Sequence, residues 1–189
     1  RQMCIETDLE ACVHGFIDGN TGTVYQTLPW NHRGWHAGGA ANNTHIGVEM
    51  CEPACIKYTS GANFTCSDLT TAKAVAKRTY EAAVELFASL CKQYGLDPMK
   101  DGVIISHREG CARGLASNHG DPEHLWNQLG TGYTMNGFRK AVQADMKGGG
   151  VTTTPNAEKP TTGGTGATVK PYLVLLLYTS DAADDRISV

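Results

Sequence analysis

His107-Arg-Glu-Gly-Cys111 and Asn118-His-Gly-Asp121-Pro122 set an imidazole and a carboxylate on one short segment, with a second imidazole, His119, just before the carboxylate. Neutral imidazole and carboxylate are both good zinc ligands, and zinc, with its filled d-shell, imposes little geometry of its own. A catalytic zinc takes three protein ligands and keeps one position open, so His107 and Asp121 supply two and the third must come from elsewhere. His119 lies close enough to Asp121 to hold a proton or a hydrogen bond over a metal-bound carbonyl. Cys111 is a fourth candidate, recommended only by its proximity to His107. Each residue also has a plainer reading. His107 can be a hydrogen-bonded histidine at a strand end, and Asp121 can cap a helix that has Pro122 in its first position.

Glu49 stands in Thr44-His-Ile-Gly-Val-Glu-Met50, a run whose alternation puts His45, Gly47 and Glu49 on one face and Ile46, Val48 and Met50 on the other. On a cleft-facing strand, burial would bring its carboxyl into the range of a general base; at a sheet edge it would merely be solvated. Upstream, His36 follows Gly34-Trp35 in a glycine-rich loop, where it can line a substrate groove with Trp30 and Trp35.

These residues need a scaffold, and the chain has the patterns for one. Val13–Ile17 and Thr23–Leu28 read as strands joined by the turn Asp18-Gly-Asn-Thr-Gly22, which makes a hairpin. Ser67 or Asp68 can cap a long helix ending near Tyr94, with Leu69, Ala72, Ala76, Ala83, Leu86, Phe87, Leu90 and Tyr94 at helical spacing and Gly95 then Pro98 as the stop. Gly102–Ser106 is a short β-branched strand that delivers His107. Helices follow from Pro122 to Leu129 and, capped by Asn136, to about Lys147. Strands mixed with sheet-packing helices make an α/β domain.

A net charge of −3 with no basic face argues against a nucleic-acid binder. The cysteine count of 7 is odd, so a fully paired framework is excluded, and no repeated C-x-x-C marks a structural zinc module. Cys51, Cys55 and Cys66 cluster around a loop, where one disulfide can form in an exported protein. Cys91 falls on the apolar face of the long helix.

From Gly148 the composition turns to Gly, Thr and Pro, which gives a linker over 148–170 without the apolar content to fold. Residues 171–189 read as the opening strand of a further module followed by a non-native tail, too short in its apolar part to span a membrane. The chain opens Arg1-Gln2-Met3, with no charged-then-apolar leader, and reads as continuing upstream.

Together, Tyr25-Gln-Thr-Leu-Pro-Trp, Arg33-Gly-Trp-His-Ala-Gly38, Asn43-Thr-His-Ile-Gly-Val-Glu49, Ser106-His107, Gly120-Asp121-Pro122 and Leu125-Trp126 resemble the zinc-dependent N-acetylmuramoyl-L-alanine amidases. This is the amidase-2 type, related to peptidoglycan recognition proteins and phage endolysins. The resemblance covers about residues 11–130 and assigns residues 1–147 to a catalytic domain. It implies a mixed central sheet flanked by helices, with Zn2+ in a surface groove. It assigns His107 and Asp121 as metal ligands, Glu49 as general base, and His119 to the position that stabilises the oxyanion or protonates the leaving amine. A tyrosine used by some relatives is replaced by Val13. The family's first ligand, a histidine on a strand before the hairpin, has no counterpart in residues 1–13, so the domain is expected to be N-terminally truncated. The resemblance further implies a peptidoglycan substrate, a monomer, and a bacteriolytic action on the cell wall after secretion or phage lysis. A non-catalytic peptidoglycan-binding domain is the alternative from another class.

Overall fold

The computed structural model describes residues 12–148 and 172–178. Cys4, the linker from residue 149 and the tail beyond Tyr178 lie outside them.

The hairpin forms as its turn chemistry dictates. Strands β1 (Gly15–Ile17) and β2 (Val24–Gln26) pair antiparallel. Between them the Asp18 carboxylate accepts from the Thr21 amide at 2.9 Å and its hydroxyl at 2.6 Å. Gly22 takes φ of 76°, open to glycine at no steric cost. Strand β3 (His45–Cys51) then runs parallel to β1.

A second hairpin, β4 (Ile56–Ser60) and β5 (Asn63–Cys66), forms its own small sheet where the sequence suggested a loop. Helix α1 (Leu69–Tyr94) follows. The Asp68 side chain caps it by accepting from Thr71 N, and Gly95 ends it in the left-handed conformation at φ of 62°. Of its expected apolar stripe, Ala72, Ala76, Ala83, Phe87 and Leu90 are buried, while Leu69 in the first turn is exposed.

Strand β6 (Ile104–Ser106) leads directly into α2 (His107–Ala112), a helix rather than the loop expected there. Helices α3 (Glu123–Leu129) and α4 (Met135–Met146) complete the helical layer. The cap of α4 is Thr134, whose hydroxyl accepts from Gly137 N at 3.0 Å; Asn136, expected as the cap, lies inside the helix.

The largest departure from expectation is β7 (Tyr172–Tyr178). The sequence assigns residues 171–189 to a separate module and tail. In the structure β7 lies inside the main sheet, whose order is β2-β1-β3-β7-β6. It pairs parallel with β3 on one side and β6 on the other. Its run Leu173–Leu177 is buried on both faces, as a central parallel strand requires. That continuous apolar pattern is the physical reason a segment set apart by composition belongs to the core. The mixed sheet with helices packed on it is the expected α/β architecture.

The sheet divides the interior in two. On one face Ile17, Ile46, Val48, Met50, Leu173, Leu175 and Leu177 pack against α1, α3 and α4 around Phe87, Phe138 and Trp126. On the other, a smaller cluster gathers Val13, Ile105, Val174 and Leu176, with Phe16 and Leu115 against it.

Candidate metal centre

Strands β3, β7 and β6 run parallel, so their carboxyl ends share one edge of the sheet. Outside such ends open α/β sheets form their ligand crevices. Register carries the candidate residues there: Glu49 lies opposite Leu176, and Ser106 opposite Leu175.

His107 is held by the junction of β6 and α2. Ser106 is the N-cap; its hydroxyl accepts from Glu109 N, and the Glu109 carboxylate returns to Ser106 N, a closed capping box. The motif Ser106-His-Arg-Glu109 was readable in the sequence and would have predicted the helix. Arg139 pairs with the same Glu109 carboxylate and donates to Ile104 O, which ties α4 to this corner. His107 is thereby fixed at the first helical position, nearly buried. Its Nδ1 lies 3.5 Å from Asp121 Oδ1, and its Nε2 shares a 3.1 Å hydrogen bond with Ser117 Oγ.

Asp121 does not cap α3. Pro122 stands at that position and no side-chain cap is made. Instead the buried Asp121 carboxylate turns towards His107, and its second oxygen accepts from Leu177 N on β7 at 3.0 Å. Burial alone would raise its pKa, but His107, the Leu177 amide and His119 favour the anion, and the net shift of the pKa is downward. It is therefore an ionised carboxylate at neutral pH, the form a cation needs.

The exposed His119 ring stacks on His107, with centroids 4.4 Å apart and planes at 23°. One ligand atom from each of His107, His119 and Asp121 fits within a span of 4.8 Å. Two imidazole nitrogens and a carboxylate oxygen form a donor set suited to zinc. Cys111 is directed elsewhere: its thiol faces Asn118 Oδ1 at 3.8 Å.

Glu49 is buried, on a strand flanked by β1 and β7, so the reading of a solvated edge residue does not hold. It projects on the face away from α1, and its register partner Leu176 precedes the amide that holds Asp121.

His36 lies over the same face, wedged between two glycines. A Cβ at Gly47 would come within 2.3 Å of its ring, and one at Gly34 within 2.6 Å. The Asn42 side chain fixes its loop by accepting from the amides of His36 and Ala37, both at 2.8 Å. His36 Nε2 donates to His45 O at 3.0 Å, while buried Nδ1 has no hydrogen-bond partner among the described residues. Burial, then the neighbouring His14, pushes its pKa down to about 3, so the ring is neutral. His14 bridges the layer beneath, its Nδ1 accepting from Gly47 N and its Nε2 hydrogen-bonded to His32 O.

The two tryptophans part company. Trp35 is exposed, with the Arg33 guanidinium 4.8 Å from its ring centroid. Trp30 packs on Gly15, whose register partner Val48 faces α1, and joins the main core. Trp30 is thus on the side of the sheet away from Glu49, and packing accounts for it.

Three supports of the site had gone unread in the sequence: Ser117, the Leu177 amide, and Glu123. Ser106 Oγ donates to the Glu123 carboxylate at 2.8 Å, and burial pushes that carboxyl up to about 6. None has a local sequence signal, because each meets its partner across a change of element.

Compared with known families, residues 1–124 match the model of N-acetylmuramoyl-L-alanine amidase, the amidase-2 family. No curated protein and no solved structure matches the chain.

Proposed function

The chain belongs to the amidase-2 family, which makes it a peptidoglycan amidase, and from that premise we propose that it cleaves the bond between N-acetylmuramic acid and the L-alanine of the stem peptide, with zinc as its cofactor. The observation that carries the metal reading is the convergence of His107, His119 and Asp121 within ligand distance at the carboxyl end of the sheet. When bound there, zinc would polarise the scissile carbonyl and lower the pKa of bound water to about 7.

The chain's own residues divide the remaining work. His107 and Asp121 hold the cation; Ser117 fixes the His107 ring from its far side, and Leu177 N–H orients the carboxylate. Such outer contacts set ligand orientation and basicity. Glu49 accepts the proton of the attacking water. Burial keeps its carboxylate away from bulk solvent. His119 stabilises the carbonyl oxygen as it gains charge, or passes a proton to the departing amine. Its exposure leaves it open to substrate. Trp35 and His36 line the approach. The enzyme acts on the cell wall, secreted or released at phage lysis. No helix among the described residues is long and apolar enough to cross a membrane.

A second reading of His119 is favoured by its proximity to both ligands: it is itself the third zinc ligand. The two differ in what His119→Gln does. As a ligand, its loss lowers bound zinc per chain. As the oxyanion or proton donor, its loss leaves zinc stoichiometry intact and slows turnover by about 10²–10³-fold.

The amidase reading is tested by counting new alanine amino termini released from purified peptidoglycan, with chelator and after zinc is restored. Release is expected to need zinc, and Glu49→Gln should reduce it by about 10²–10⁴-fold. Wild-type release by Glu49→Gln would remove it as the base, and no release by the zinc-loaded chain would leave a peptidoglycan-binding domain instead.

A further inference from the structure

The β4–β5 hairpin stands outside the main sheet, yet its contacts run to the loop that carries His119 and Asp121. The Gln128 side chain of α3 donates to Ala62 O at 2.6 Å and accepts from Phe64 N at 3.2 Å, which fixes the hairpin tip on that helix. A Cβ at Gly120, between the two candidate ligands, would lie 3.9 Å from that of Ala62.

Tyr58, in the middle of β4, makes the longer connection. Its hydroxyl donates to the Glu52 carboxylate at 2.5 Å. A hydroxyl has one hydrogen to give, so in its 2.8 Å bond with His124 Nε2 the ring donates and the oxygen accepts. The other ring nitrogen, Nδ1, is buried with no hydrogen-bond partner among the described residues, so Tyr58 supplies the bond that orients the ring. The His124 amide in turn donates to Gly120 O at 3.1 Å. Glu52 directly follows β3. A chain of hydrogen bonds therefore runs from the strand that bears Glu49, through Tyr58 and His124, to the residue before Asp121.

We propose that Tyr58 is a positioning residue for the candidate metal centre, bracing the loop of His119 and Asp121 against β3 so that the hairpin sets how tightly the cation is held. This rests on the metal reading given above. The loop is exposed at Asn118 and His119, and it loses conformational freedom when its residues meet one ion. A brace that removes this freedom beforehand favours binding. Contacts one shell beyond the ligands act in this way on metal affinity.

Tyr58→Phe removes the hydroxyl and keeps the ring, which packs edge-on to Phe64 with centroids 5.9 Å apart. In the metal-free full chain, amide hydrogen exchange over residues 118–124 should quicken about fivefold, as for one hydrogen bond lost, while α1 keeps wild-type rates. The zinc dissociation constant, read by competition with a chromophoric chelator, should rise about 10–100-fold. His124→Gln keeps a donor where Nε2 stood and should stay near wild type in both measurements, whereas His124→Leu should match Tyr58→Phe. Wild-type exchange over 118–124 in Tyr58→Phe, or quickening spread equally over α1, would overturn the proposal. Unchanged zinc affinity beside quickened local exchange would overturn it too. Zinc binding by neither wild type nor variant would refute the zinc reading and the claim about affinity with it; exchange, measured without metal, separates that failure from a failure of the brace.

Discussion

The two faces of the central sheet use one set of strands for opposite ends. Towards α1, every inward residue of β3 and β7 is aliphatic or methionine, and the layer closes over Phe87, Phe138 and Trp126. Away from α1, the same β3 presents His45, Gly47 and Glu49, and the cover is a layer of imidazoles around His36. The first face is built as cores are, by removing apolar surface from water. The second buries polar groups, some without partners: His36 Nδ1 and His45 Nε2 lack hydrogen bonds among the described residues. Buried polar atoms left unpaired cost stability, and they collect where function demands them. One face holds the fold and the other holds the candidate site, so damage to each should be separable.

Phe87→Ala should strike the first face alone. Deleting a fully buried ring in a dense core costs about 3–5 kcal/mol, read as a lower denaturation midpoint, while turnover per folded molecule stays within about twofold of wild type. A loss of turnover in the folded fraction would break the division. Gly47→Ala attacks the second face. Its new methyl would meet the His36 ring, and displacing that ring should cost about 2–3 kcal/mol and lower activity as well. Unchanged activity would mean that His36 is packing only. Acid should also act on the second face. The pKa of His36 is about 3 in the fold against the usual 6.5, so the unfolded chain takes up the proton first. Stability from this residue is full above pH 6.5 and declines as pH falls towards 3, by about 2 kcal/mol at pH 5. Denaturant melts at pH 7 and 5 should show that loss, and His36→Gln should flatten it; an equal slope in the variant would assign the effect elsewhere.

Legibility in the sequence followed the same division. Helix α1 was plain because period, cap and stop agree over many turns, and β3 because its alternation is strict. Glu49, His107 and Asp121 were legible as site candidates; the structure puts Glu49 within β3, His107 directly after β6, and Asp121 before α3 against the Leu177 amide of β7. The β4–β5 hairpin was missed because Lys57-Tyr-Thr-Ser and Asn63-Phe-Thr are short, half-exposed and held by side chains of α3. Helix α2 was missed although its capping box was present, since six residues offer no period to read. The tail was set apart on composition, yet β7 owes its place to pairing with β3 and β6, a relation no local pattern announces.

The position of β7 also sets an order of events. A ribosome delivers β3 and β6 before residues 172–178, so the strand that pairs with both comes last of the three. Before that, both present raw edges, and the Asp121 carboxylate lacks the amide that later steadies it. The site is thus completed by the segment synthesised last among the described residues, and long-range closure of this kind is slow. A half-made chain would carry the other residues of the candidate site with the Asp121 carboxylate still lacking the Leu177 amide.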